Sequence, residues 1–142
     1  LHVVGAAPDQ PVALHPGDEL LGEGRTILIA RAQRPVGVIS IQTVGELADL
    51  HRLVVDSRSR RRGIGTDLVR AGLQVVQRLR VREVILDVAY RNEPAIALYQ
   101  QLGFEQLSVR QDYYGPGQHA LILKLYDLQT WPDGIPIATE EA

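Results

Sequence analysis

An α/β domain built on a mixed sheet is predicted by three features: short β-branched runs, two segments of helical periodicity, and an order in which helices interrupt the strands only after the third. Residues 1–25 hold Pro8, Pro11, Pro16 and several glycines, so they predict an irregular, extended or loop-rich segment with little helix. From Thr26 the pattern is that of strands: residues 27–30, a turn near Gln33-Arg34-Pro35, then 36–41, which together read as a hairpin. A third strand follows at Leu47–Val55 and runs into a polar, arginine-rich turn containing Gly63 and Gly65. Ile64, Leu68, Ala71, Val75 and Leu79 then recur at spacings of four, three, four and four, one face of a helix ending near Arg80. Residues 84–89 form another β-branched run, and Asn92 offers an N-cap with Glu93 and Pro94 in the first turn of a helix that stops at Gly103. Two last strands are predicted at 107–113 and 120–126. The tail, 127–142, carries Pro132, Gly134 and Pro136 and is expected to be irregular and mobile. The domain proper is thus 26–126.

With 142 residues, 45% of them hydrophobic, the chain can bury one core but not two. Its net charge of −2 exerts no general attraction on nucleic acid or anionic membrane; the basic signal is local, at Arg58-Ser59-Arg60-Arg61-Arg62. The absence of cysteine excludes disulfides, thiolate metal sites and a cysteine nucleophile, and His2, His15, His51 and His119 are too scattered to suggest a zinc pair, so no metal is expected. No apolar run approaches the roughly 18 residues of a membrane span, and no signal segment is visible, which makes the cytoplasm the expected location. The chain begins at Leu1 and holds no methionine, so residues upstream are expected to be missing or removed.

A strand that enters a glycine-bearing turn and then a helix N-terminus can hold phosphate, because free backbone N–H groups point outward and the helix dipole favours negative charge. Here the turn is Arg60-Arg61-Arg62-Gly63-Ile64-Gly65: the glycines permit close approach and the arginines can add charge-assisted contacts. A tight turn with a solvated basic face accounts for the same residues. Leu68 breaks a G-x-G-x-x-G fingerprint, and no Gly-Lys-Ser/Thr marks a P-loop.

Leu53-x-Val55 followed by Arg60-x-x-Gly63-x-Gly65 resembles the pyrophosphate-binding motif of the GNAT acetyltransferase superfamily, and residues 92–104, Asn92-Glu93-Pro94-Ala95-Ile96-Ala97-Leu98-Tyr99 through Gly103-Phe104, resemble its second signature. The resemblance covers about residues 26–126. It implies a mixed, mostly antiparallel central sheet flanked by helices, here with a reduced N-terminal helical part, and acetyl-CoA as co-substrate. It further implies that Leu53, Val54 and Val55 lie along the pantetheine arm, and that Arg60, Arg61, Arg62, Gly63, Ile64, Gly65 and Thr66 hold the pyrophosphate. Tyr99, seven residues after Asn92, would protonate the departing thiolate; a core aromatic is its ordinary reading. Asn92 would contact the pantetheine or simply cap its helix.

Within the superfamily the match is nearest to the N-terminal (N-alpha) acetyltransferases, including those acting on a ribosomal protein's terminal alanine. Residues 86–92 resemble that subgroup's Leu-Glu-Val-Arg-x-x-Asn, and Arg110-Gln111-Asp112-Tyr113-Tyr114 its Arg-x-x-Tyr-Tyr hairpin, which makes Tyr113 and Tyr114 the implied acceptor contacts. Asp87 stands in place of a glutamate proposed as general base, with a side chain one methylene shorter, so that a proton path relayed through water is implied; Asp87 could equally bond a neighbouring backbone or pair with an arginine. Gln118-His119 replaces an acidic pair. The implied partners are acetyl-CoA and an amine acceptor, a peptide or protein N-terminus or a small amine. A homodimer is left open, and neither membrane nor nucleic acid is the expected partner. A small-molecule acetyltransferase and a non-catalytic acetyl-CoA sensor are the alternative functions.

Overall fold

A computed structural model of the chain describes residues 2–4, 12–16, 24–60 and 63–132. Eight strands form one sheet: β1 (His2–Val4), β2 (Val12–Pro16), β3 (Arg25–Arg31), β4 (Pro35–Val44), β5 (Leu47–Val55), β6 (Glu83–Ala89), β7 (Glu105–Arg110) and β8 (Ala120–Leu125). Their spatial order is β1-β2-β3-β4-β5-β6-β8-β7, antiparallel everywhere except between β5 and β6. The mixed, mostly antiparallel sheet is therefore present. The proline-rich N-terminal segment, expected to be irregular, instead adds two strands to the sheet edge; Pro16 is tolerated because it closes its strand.

Among the described residues two α-helices cross between strands. α1 (Ile64–Arg78) joins β5 to β6, and α2 (Glu93–Gln101) joins β6 to β7. α1 buries Ile64, Leu68, Val69, Leu73 and Val76 on β3, β4 and β5. It lies close to the sheet because position 72 is glycine: a Cβ there would sit 2.8 Å from Ile41 Cδ1. Leu79, expected on the buried face, is 55% exposed, because the helix has ended by then and Arg80 turns to φ +71°. α2 starts where Asn92 Oδ1 accepts the Ala95 N–H at 3.3 Å, with Pro94 in the first turn.

Burial alternates along β6, where Val84, Leu86 and Val88 are buried and Ile85, Asp87 and Ala89 are half-buried. The buried set shares one core with α1, with Tyr99 and Leu102, and with Leu123 and Leu125 of β8. Both helices thus occupy one face of the sheet. Among the described residues no helix covers the other face.

The tail departs from expectation as far as Pro132. Leu128–Thr130 form a 3-10 turn. Gln77 Nε2 donates to the carbonyls of Leu128 (2.7 Å) and Trp131 (2.8 Å), Gln129 Nε2 donates to those of Gln77 (3.0 Å) and Val81 (2.6 Å), and the buried Trp131 donates from Nε1 to the Leu102 carbonyl at 2.9 Å. The bonds to the Gln77 and Leu102 carbonyls satisfy acceptors at the C-terminal ends of the two helices, and those from the Gln77 side chain fix the proline-containing segment to α1. Residues 133–142, also assigned to the mobile tail, lie outside the described residues.

Candidate active site

The parallel pairing of β5 with β6 lasts three rungs, Leu47↔Glu83, Ala48↔Val84 and Asp49↔Ile85. Beyond them β5 remains paired to β4 as far as Gly37↔Val55, and β6 remains paired to β8 as far as Ala89↔Ala120. The sheet therefore forks after Asp49 and Ile85. From there the β5 edge toward β6 has no neighbouring strand among the described residues, so its peptide groups are open to an extended, amide-bearing ligand.

The helix side of the fork is narrow and apolar. A Cβ on Gly65 would lie 3.3 Å from Leu98 Cδ1, 3.7 Å from Val55 Cγ2 and 3.8 Å from Leu53 Cδ2, so the side chains of Leu53, Val55 and Leu98 close in on Gly65. Val54 points the other way and is 45% exposed. Gly63 is the N-cap of α1 at φ +78°, with nothing within 4 Å of where its Cβ would be and no side-chain cap on the helix. The first intrahelical bond is Asp67 N–H to the Gly63 carbonyl, 3.0 Å, which leaves the amides of Ile64, Gly65 and Thr66 without an intrahelical acceptor. Ile64 contributes its amide alone, since its side chain is in the core. Arg60 Nε donates to the Val55 carbonyl at 3.2 Å, tying the turn to the strand end. Arg61 and Arg62 lie outside the described residues.

The two glycines differ. Gly63→Val places its bulk in open space before the free amides and strains a left-handed backbone, so about tenfold weaker acetyl-CoA binding is expected by calorimetry, with about 1–2 kcal/mol lost in stability. Gly65→Leu would drive against Leu98, Val55 and Leu53 and is expected to reduce binding and stability together.

Tyr99 is also on the helix side, 5% exposed, its ring edge-on to Phe104 at 5.6 Å between centroids. Burial pushes its phenol up to about 12. Asp87 is on the opposite face, level with Ile122 of β8. The structure thus separates Tyr99 and Asp87 by the thickness of β6. Tyr113 and Tyr114 lie in the β7–β8 loop, exposed and edge-on to each other at 5.0 Å, with the Arg110 guanidinium 5.2 Å from the Tyr113 ring centre. Partial burial, the charge on Asp87 and the neighbouring Tyr113 together push the Tyr114 phenol up, which places this loop on the Asp87 side.

Sequence reasoning overlooked a second carboxylate there. Asp49, the last β5 residue paired to β6, shares the face of Asp87. Its carboxyl is raised by partial burial, with His51 opposing the rise and Asp87 adding to it. His51 Nε2 is 3.7 Å from Asp49 Oδ2, and His51 Nδ1 is 3.3 Å from Arg25 Nη1, which also donates to Ser40 Oγ at 3.0 Å. His51 falls where the β4–β5 register slips, between Ser40↔Arg52 and Ile41↔Leu50. An acidic residue in the middle of a strand, flanked by Ala48 and Leu50, was the available signal. Among the described residues no group of side chains could hold a metal ion.

Comparison with known proteins gives the family of the chain. Residues 5–104 match the Acetyltransferase (GNAT) family, and the chain belongs to it. It is 38% identical over 72 residues to an N-alpha-acetyltransferase of Sulfurisphaera tokodaii, a match covering 50% of this chain and 43% of that protein; the match thus spans less than half of that curated relative. The crystal structure of the ribosomal-protein-S18-alanine N-acetyltransferase from Escherichia coli superposes with a TM-score of 0.75 at 20% identity, covering 92% of this chain and 98% of the other. A GNAT family acetyltransferase from Elizabethkingia anophelis, solved with acetyl-CoA bound, gives 0.71 at 13% identity, covering 81% and 97%.

Proposed function

We propose that the chain is an acetyl-CoA-dependent N-acetyltransferase that transfers acetyl to a primary amine, with a peptide or protein N-terminus as the favoured acceptor. One observation carries this reading: the fork between β5 and β6 has the open α1 amides and Tyr99 on its helix side, and Asp87 with the Tyr113-Tyr114 loop on its other side. Acetyl-CoA enters from the helix side, with its pyrophosphate over the amides around Gly63 and Gly65 and its pantetheine along Leu53 and Val55. The amine arrives from the open face. Nitrogen attacks the thioester carbonyl, the C–S bond breaks, Tyr99 supplies a proton to the sulfur, and the amine's proton leaves through water toward Asp87. Asn92 acts through its cap, by setting the start of the helix that carries Tyr99.

The acceptor class follows from proton chemistry. An α-amine of pKa about 8 is roughly one-tenth neutral at pH 7, and a lysine side chain near 10.4 is neutral in about one molecule in 2,500, so a weak, water-relayed base suffices only for the first. Asp87→Asn should therefore lower kcat/KM on the order of a hundredfold near pH 6.5 and closer to tenfold near pH 9, where more of the amine is already neutral. A loss of the same size at every pH would remove Asp87 from the proton path.

A second reading, a small-molecule amine acetyltransferase, is favoured by Asp49 and Asp87 sharing the open face, where two carboxylates suit a polyamine. Acetyl-CoA turnover against N-terminal peptides, polyamines and amino acids decides between them. Faster turnover of polyamines selects the second reading, and stabilisation by acetyl-CoA without turnover of any amine selects a sensor. Among the described residues no helix is long and apolar enough to cross a membrane.

A further inference from the structure

The β7–β8 loop, residues 111–119, is fastened by one imidazole. His119 Nδ1 accepts the Asp112 N–H at 3.0 Å, and its ring lies 5.0 Å from the Tyr90 ring at 44°. The His119 carbonyl accepts the Tyr90 N–H at 3.0 Å. Tyr90 is held in turn by Arg91, whose Nε donates to the Tyr90 hydroxyl at 2.7 Å while its guanidinium sits 5.2 Å from the ring centre. On the loop, Asp112 is at φ +56° and its Oδ1 accepts the Gly117 N–H at 2.7 Å, and Tyr114 N–H donates to the Gln118 carbonyl at 2.9 Å. His119 thus joins the loop bearing Tyr113 and Tyr114 to the β6–α2 turn that leads into Asn92.

We propose that His119 is a positioning residue for the acceptor: through Nδ1 it holds the Tyr113-Tyr114 loop against the Asp87 side by way of the Asp112 amide, so that losing this acceptor atom loosens acceptor binding without loosening acetyl-CoA. The inference rests on the reading that the open face receives the acceptor. With Nδ1 accepting, the ring proton is on Nε2. The Asp112 carboxylate lies 3.8 Å from Nδ1 and accepts the Gly117 N–H, so amide and carboxylate of one residue tie the loop to the ring and to its own turn. The charged and titratable groups facing the ring are Asp112 from the loop and Tyr90 and Arg91 from the β6–α2 turn, the last of these across the Tyr90 ring.

Two replacements separate the ring from the acceptor atom. His119→Asn keeps an acceptor oxygen near the place of Nδ1 and cannot titrate; His119→Phe keeps the ring and loses the acceptor. With a short peptide bearing a free N-terminal alanine as probe, His119→Phe is expected to raise the peptide KM about fivefold, with kcat and the acetyl-CoA Kd within about twofold of the unmodified protein. His119→Asn, which restores an acceptor, is expected to bring the peptide KM back to within about twofold of the unmodified protein. In 1H–15N spectra the Asp112 amide should move in His119→Phe and stay near its place in His119→Asn. A peptide KM unchanged in His119→Phe, a fall in acetyl-CoA affinity matching the rise in KM, or an Asp112 amide unmoved by His119→Phe would each overturn the proposal. Should the unmodified protein fail to acetylate the peptide, the functional reading falls, and the amide shift alone decides the role of His119.

Discussion

Tyr99→Phe is expected to lower kcat by about 10²–10³-fold while the acetyl-CoA Kd changes by less than about twofold. The replacement removes one oxygen and retains the ring, so the edge-on contact with Phe104 and the packing among Leu102 and the β6 residues survive. What is lost is a proton held where a thiolate would leave. The expected loss is flat in pH up to about 10, because burial raises the phenol and keeps its proton on oxygen throughout that range. Pre-steady-state measurement of acetyl transfer, beside equilibrium titration with acetyl-CoA, gives both quantities. An equal fall in rate and affinity would make Tyr99 a packing residue.

Trp131→Ala should cost about 3–5 kcal/mol, measured by chemical denaturation, because it empties a large buried volume and leaves the Leu102 carbonyl without its donor. Trp131→Phe isolates the second part, with an expected loss of about 1–3 kcal/mol. The indole bonds to the residue that caps α2, three positions after Tyr99, so the alanine variant is also expected to blur the position of the phenol and reduce kcat. The phenylalanine variant should keep more of the activity.

What the sequence disclosed was decided by short-range chemistry. Asn92 caps a helix because its side chain reaches an amide three residues on, and Gly103 ends that helix because it can take φ +108°; both follow from local rules. The turn that opens α1 was legible for the same reason, since Gly63 can take φ +78°. The fork itself was not, since the three rungs that pair β5 with β6 join residues more than thirty positions apart. Asp49 went unnoticed with it: only that register places a β5 carboxylate beside Asp87. The tail as far as Pro132 was misjudged because its proline suggested disorder, whereas Gln77, on α1, supplies the amide that holds Leu128 and Trp131. His119 registered only as a departure from an acidic pair, since its Asp112 bond depends on the shape of a nine-residue loop.

Three rungs of parallel pairing also have a mechanical meaning. They join a five-stranded antiparallel meander, β1 to β5, to a three-stranded unit of β6, β8 and β7. Each part is laced internally by long ladders, β4 with β5 over eight partners and β6 with β8 over six, so each is stiff, and compliance collects at the seam. A molecule lying in the fork and bonding to the β5 edge would add links at a seam of three rungs. Occupancy then changes the rigidity of the whole sheet while leaving the shape of either part as it was.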